Sequence, residues 1–157
     1  MKKGLILFFL LAVAMSYSVS ALAEGPHGKK MMGGSDSGGD KSAVFTPMPA
    51  PGKKVPLPGG YYAIYGFDKK PKLGMLIVKV EIFAQDGKKD TSFEIKGDSG
   101  MPSMKGHHDM GEQPFQLSKK GDYLLPVNIV MPGDWEIRLT FLKNGQVQFR
   151  GSYQFDV

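Results

Sequence analysis

Alternation of apolar and polar residues is the dominant pattern in the C-terminal part of the chain. In residues 135–141 every second residue is large and apolar, and the residues between them are polar or charged. The same period of two recurs in residues 147–157, and Asn144-Gly145 separates the two runs. A period of two is typical of β-strands with one buried face, and Asn-Gly is a strong hairpin signal. The two runs are therefore predicted to form a hairpin, with Trp135 in the core.

Several shorter stretches upstream alternate in the same way, and turn signals such as Asp86-Gly87 separate them. They are residues 61–67, 76–82, 93–95, 115–117 and 123–129. No segment of this region has a convincing helical stripe. About seven strands in one domain predict an all-β fold, an antiparallel immunoglobulin-like β-sandwich. A small barrel is the alternative.

The first 23 residues have the organisation of a secretory signal peptide. Lys2 and Lys3 precede an almost unbroken apolar run, and Ala21-Leu22-Ala23 gives a small-x-small cleavage pattern. The run is too short to span a bilayer comfortably, so no retained membrane span is expected. The predicted localisation is exported, either periplasmic or extracellular after cleavage. An uncleaved N-terminal anchor is the alternative.

Residues 24–58 differ in composition from the rest, because Gly, Pro, Ser and Lys dominate and large apolar residues are few. Such a segment buries too little surface to offset the entropy cost of ordering it. We therefore predict a disordered linker over residues 24–58, followed by one folded domain over residues 59–157. His27 and the methionines of this segment are interpreted as linker composition.

Charge and cysteine content exclude several classes of function. The formal net charge is +5, but the lysines are scattered among acidic residues and form no basic stripe of the kind that nucleic acid requires. The chain has no cysteine. Disulfides, cysteine-ligated zinc and iron–sulfur clusters are thereby excluded, and stability must come from burial alone.

A loop rich in methionine and histidine carries the candidate chemistry. The segment "GMPSMKGHHDMG", residues 100–111, contains five candidate metal ligands: Met101, Met104, His107, His108 and Met110. Neutral thioethers suit Cu(I), and imidazole serves both Cu(I) and Cu(II). A glycine-flanked loop could wrap several of these groups around one ion. In the alternative interpretation the loop is structural, and Met101 and Met104 fill gaps at the end of the sandwich.

Three segments together carry a resemblance to a known family. They are "KLGMLIVKVEIFAQDGKK" (72–89), the Met/His segment, and "GDYLLPVNIVMPGDWEIRLTF" (121–141). The chain resembles the YtkA-like and FixH-like family of small exported or membrane-anchored immunoglobulin-like domains over residues 70–157. The family's recurring "MP.M..H" loop corresponds to Met101–His107. The resemblance implies a fold, an extracytoplasmic compartment and a copper-related context beside efflux or oxidase-assembly proteins.

No motif of a hydrolase, nucleotide-binding protein or dinucleotide-binding protein is present, and we expect no enzymatic activity. The leading hypothesis is an exported domain that binds or delivers copper, or another soft metal, through the Met/His loop. Its expected partners are copper-handling, efflux or oxidase-assembly proteins. The alternative is a protein-interaction or structural β-sandwich module that binds no metal.

Overall fold

Ten β-strands form within residues 43–106 and 109–157, the part of the chain that this computed structural model describes. Over the described residues, no helix is both long and apolar enough to cross a membrane. Two short 3-10 turns, Pro58–Gly60 and Pro102–Met104, interrupt the strands. The strands are β1 (Thr46–Pro47), β2 (Lys54–Pro56), β3 (Tyr62–Phe67), β4 (Gly74–Phe83), β5 (Phe93–Gly100), β6 (Gln113–Pro114), β7 (Gln116–Leu117), β8 (Tyr123–Ile129), β9 (Asp134–Lys143) and β10 (Gln146–Asp156).

The strands form two five-stranded sheets. One has the order β1-β10-β9-β5-β6 and the other the order β2-β3-β4-β8-β7. All pairings are antiparallel except that of β1 with β10. The segregation of β3, β4, β7 and β8 from β5, β9 and β10 is the arrangement of an immunoglobulin-like sandwich, as the alternation predicted.

The core lies between the two sheets and is built from the apolar positions of the alternating strands. Its most deeply buried side chains include Leu76, Val78, Val80, Ile82, Ile137, Leu139 and Phe141. The sheets approach closely at Gly97 of β5, where an added Cβ would lie 2.6 Å from Leu125 of β8. The Tyr123 hydroxyl also donates a hydrogen bond of 2.8 Å to the carbonyl of Phe93, which links β8 to β5 across the core.

The predicted C-terminal hairpin is confirmed. Strands β9 and β10 pair in antiparallel register, with Gln146 opposite Lys143. Both turn residues have positive φ, 53° at Asn144 and 74° at Gly145, as a primed hairpin turn requires. Trp135 is buried as predicted, and its indole Nε1–H donates to the carbonyl of Met131 at 3.0 Å.

The strand count and the start of the domain differ from the prediction. The sequence indicated about seven strands, whereas the described residues form ten, because strands as short as two residues leave no readable alternation. The linker prediction is wrong for residues 43–58. That stretch contributes β1 and β2, and its side chains Met48, Val55 and Leu57 are buried in the core.

Residues 43–58 are held in place by strands that are distant from them in the sequence or follow later in the chain. Strand β1 runs parallel to β10 at Gly151, and β2 pairs with β3. The Tyr65 hydroxyl donates to the carbonyl of Pro49. The predicted signal peptide, residues 1–23, lies outside the described residues, as does the rest of the predicted linker, residues 24–42.

Candidate metal site

The Met/His loop connects β5 to β6 at the end of the sandwich where β9 begins. Its first turn is closed by a hydrogen bond of 2.9 Å from the Met104 amide to the carbonyl of Met101. Its return is held by the Met110 amide, which donates to the carbonyl of Ser99 at 2.9 Å. Because both ends of the loop are attached to the last residues of β5, the ten residues from Met101 to Met110 form a closed loop.

The beginning of the loop is also anchored to β9. The Ser103 amide donates to Oδ2 of Asp134 at 3.0 Å, and the Ser103 hydroxyl donates to Oδ1 of the same carboxylate. The hydroxyl hydrogen bond lowers the pKa of Asp134 below its ordinary value. Asp134 therefore acts as an acceptor that holds the 3-10 turn against the start of β9.

A cluster of charged side chains anchors the other part of the loop. Asp109 Oδ1 lies 3.6 Å from the Arg138 guanidinium, and Asp109 Oδ2 accepts a hydrogen bond of 3.3 Å from the Gly106 amide. Arg138 also contacts Asp98 at 2.7 Å and Glu136 at 3.9 Å. Three carboxylates thus surround one guanidinium, and this corner of the molecule carries an excess of negative charge.

Burial at this corner affects Asp98 in particular. Burial raises the pKa of the Asp98 carboxyl above its ordinary value, although the attraction of Arg138 opposes that change. A raised pKa means that the ionised form is less well solvated here than in water. The single positive charge of Arg138 thus offsets only part of the negative charge of its three carboxylate neighbours.

The five predicted ligands have different environments. Met101 is only 4% exposed, and its methyl group packs on Gly133, where an added Cβ would lie 2.8 Å from Met101 Cε. Met104 is 37% exposed, and Met110 is partly buried against the core. His107 and His108 lie outside the described residues. The structural interpretation of the loop thus fits Met101 better than Met104.

Oxygen ligands alone do not form a metal site in the described part of the chain. Residues 43–106 and 109–157 contain no group of three His, Asp or Glu side chains arranged to hold a metal ion. Asp109, the carboxylate within the loop, already contacts Arg138 and the Gly106 amide. The described donors that remain in the loop are the thioethers, which select soft cations such as Cu(I).

Sequence reasoning missed the residues that hold the loop in place, namely Ser103, Asp134 and Arg138. Asp134 and Arg138 fall on or beside a strand that the alternation predicted, so their outward direction was readable. Their partners were not readable, because Ser103 is 31 residues away from Asp134 along the chain. Only the adjacency of β5 and β9 brings these side chains to the loop.

Comparison with known proteins identified no family: neither a protein-family model nor a curated protein matches the chain. Among solved structures, the chain is similar to FetP of uropathogenic Escherichia coli, isolated after periplasmic expression. Identity is 16% over 68% of this chain and 93% of that one, and the TM-score is 0.43. For a copper-bound variant of FetP, identity is 14% over 67% of this chain and 93% of that one, and the TM-score is 0.45. Because the likeness is this distant, only this chain's own residues bear on its function.

Proposed function

We propose that this chain is a non-enzymatic exported domain that binds one copper ion in the Met/His loop and acts in copper homeostasis or delivery. Copper is the cargo of the domain. The proposed ligands are Met104, His107, His108 and Met110. Met101 is also a ligand predicted from the sequence, but its burial against Gly133 favours a packing role.

The closed loop is the observation that carries the proposal. The hydrogen bond from Met110 to Ser99 brings the end of the loop back to β5, so the four proposed ligands lie within seven consecutive residues of a loop whose ends already meet. Much of the entropy cost of bringing distant groups together is thereby met during folding. A metal ion then has to bring together only ligands that lie within one short segment between two anchored points.

Exposure and electrostatics support the same site. The Met104 side chain is more than a third exposed and is free of the core packing that accounts for Met101. The neighbouring carboxylates outnumber the one guanidinium among them, and the resulting negative potential favours a cation. Thioethers remain neutral at all pH values, so the loop binds Cu(I) without losing protons from its sulfur ligands.

Competition for Cu(I) tests the proposal directly. The chain without residues 1–23 is titrated anaerobically against the chromogenic chelator bicinchoninate, and about one equivalent of Cu(I) is expected to move to the protein. The double variant His107→Ala/His108→Ala should lose at least about tenfold in affinity, since even the loss of an outer-shell partner of a metal ligand costs about 10–100-fold. Its thermal midpoint should not change.

Met75→Leu is the matched control, because Met75 is an exposed methionine outside the loop and its replacement should leave the affinity unchanged. Failure of the unaltered protein to compete for Cu(I) at micromolar concentration would show that the loop is not a copper site. Equal affinity of the histidine variant would restrict the site to its methionines.

A free strand edge supports the second candidate, a protein-interaction module. Strand β1 covers β10 only at Gly151 and Ser152, so residues 146–150 have no partner on their outer side among the described strands. Val147 in this stretch is exposed. Such an edge can accept a strand from another protein. Gln148→Pro, which removes one backbone amide from this stretch, should weaken such pairing and leave Cu(I) affinity unchanged.

A further inference from the structure

Three large apolar side chains are exposed together at one end of the sheet formed by β2, β3, β4, β8 and β7. Leu73 and Met75 are each 53% exposed, and Val130 is 55% exposed. Leu73 directly precedes β4, Met75 is the second residue of β4, and Val130 directly follows β8. These two strands are neighbours in the sheet, so the three side chains belong to one region of the surface.

The register of the two strands places Met75 on the outer face of the sheet. Gly74 is opposite Ile129, and Met75 is opposite Asn128. Leu76 and Ile129 are buried, so the alternation directs Met75 away from the core. Leu73 directly precedes and Val130 directly follows the terminal pair of Gly74 and Ile129, so both lie at the same end of the sheet as Met75. An apolar patch of this kind outside the core is typical of an interaction site.

Three lysines border the patch. Lys69, Lys70 and Lys72 lie in the loop that connects β3 to β4, and all three are exposed. None of them forms an ion pair with another described residue. The carboxylate of the same loop, Asp68, accepts a hydrogen bond of 2.8 Å from the Ile77 amide. With three lysines and one aspartate, the loop carries a net charge of +2 beside the apolar patch.

We infer that this basic apolar tip, formed by Leu73, Met75, Val130, Lys69, Lys70 and Lys72, docks on the surface of an anionic phospholipid membrane. Peripheral membrane binding combines burial of apolar side chains at the headgroup boundary with attraction of basic side chains to anionic lipids. The tip supplies both contributions within one short stretch of surface. The charge of the three lysines selects an anionic lipid over a zwitterionic one.

The tip is separate from the proposed copper site but lies at the same end of the domain. The two share no residue, so docking does not depend on metal binding. Val130 and Gly133 belong to the short connection between β8 and β9, and Met101 packs on Gly133. A docked domain would therefore hold the Met/His loop close to the membrane surface.

Vesicle sedimentation tests the inference. The chain without residues 1–23 is used, so that the apolar run of the predicted signal peptide cannot bind lipid itself. Vesicles of phosphatidylglycerol and phosphatidylethanolamine should retain the protein, whereas phosphatidylcholine vesicles should not. Retention should fall when the salt concentration is raised to about 0.5 M, because exposed charges are then screened within a few ångströms.

Two tip variants and two matched controls separate docking from general effects of charge or hydrophobicity. Lys69→Glu/Lys70→Glu/Lys72→Glu should abolish retention, since each basic residue near an anionic surface contributes about fivefold. Leu73→Ser/Met75→Ser should weaken it by at least about tenfold, because two exposed apolar side chains no longer enter the membrane. The controls, Lys119→Glu/Lys120→Glu and Leu117→Ser, lie outside the tip and should leave retention unchanged.

Near-ultraviolet circular dichroism verifies that each variant keeps its fold. Equal retention on neutral and anionic vesicles would overturn the inference, as would equal losses in the tip variants and the controls. Absence of vesicle binding would also overturn it, and the tip would then be a surface for a protein partner.

Discussion

The two ends of the sandwich are built from different kinds of contact. At the end that contains the turns 84–92 and 118–122, charged side chains pair with one another. Lys89 contacts Glu81 at 2.7 Å and Asp122 at 2.6 Å, and Lys79 contacts Asp122 at 3.1 Å. At the opposite end the Met/His loop is attached at Ser103 by Asp134 and at Asp109 by Arg138, and the thioether of Met104 lies between these two attachments along the chain.

The difference indicates which end is structural and which end is available for a ligand. The hydrogen bond between Lys89 and Asp122 lowers the pKa of Asp122 and raises the pKa of Lys89, so the charges of Lys79, Glu81, Lys89 and Asp122 at the ion-paired end compensate one another. The thioethers of the methionine end have no such partner within the described residues. At the ion-paired end these charged groups bind one another, whereas at the other end the thioethers of Met104 and Met110 remain available as donors to a ligand.

Truncation should have the largest effect, because both ends depend on the same two sheets. Deletion of residues 24–58 removes β1 and β2 and the buried side chains Met48, Val55 and Leu57. Burial of each of these three side chains contributes about 1.5–3 kcal/mol, so a loss of at least about 5 kcal/mol is expected. Urea unfolding measures this loss. Deletion of residues 24–42 is the control, and equal stability of the two truncated chains would contradict the structural role of residues 43–58.

Substitutions in the methionine end should separate packing from ligand binding. Met101→Ala is expected to lower the free energy of unfolding by about 2–4 kcal/mol, since it leaves a cavity in the core. Met104→Ala, at a site that is more than a third exposed, should cost less than about 1 kcal/mol. Thermal and urea unfolding provide both values. A smaller loss for Met101→Ala than for Met104→Ala would refute this division of roles.

The ion-paired end should respond to acid. At neutral pH, Asp122→Asn should cost about 1 kcal/mol, because it breaks contacts with two partly exposed lysines. Because hydrogen bonding to Lys89 lowers the folded pKa of Asp122, its contribution is complete above about pH 4 and is lost as the pH falls through the folded pKa. The difference in unfolding free energy between the unaltered protein and the variant should therefore shrink below about pH 4.

Asp86→Asn is the control for that measurement, because the ion pair of Asp86 with Lys88 is strongly exposed and contributes little. The difference between its unfolding free energy and that of the unaltered protein should be close to zero across the same pH range. A pH-independent effect of Asp122→Asn would show that the ion pairs do not hold this end.

Met104→Leu should have the smallest effect on stability and a clear effect on the Cu(I) affinity. Met104→Leu keeps the size and apolarity of the side chain but removes its sulfur. The free energy of unfolding should change by less than about 0.5 kcal/mol, while the Cu(I) affinity should fall by about tenfold. Chelator competition and urea unfolding of the same preparation provide both values. Unchanged affinity would remove Met104 from the ligand set.

The long strands could be predicted from the sequence, because their alternation reflects burial of one face. The hairpin at Asn144-Gly145 and the burial of Trp135 followed from local pattern alone. Strands β1 and β2 could not be predicted, since their two or three residues have no period and they form only against β10 and β3. Composition alone suggested a linker there, although Val55 and Leu57 are buried.

For the candidate site, the sequence by itself determined the chemistry: no cysteine, and methionines and histidines concentrated in one glycine-flanked loop. Only the tertiary structure decided how that loop is held and how its methionines divide. Met101 and Met104 stand three residues apart in the same motif, yet one packs on Gly133 and the other is exposed. The physical reason is that burial depends on neighbours from other strands. Gly133 and Asp134 reach the loop through the pairing of β9 with β5, which no local pattern encodes.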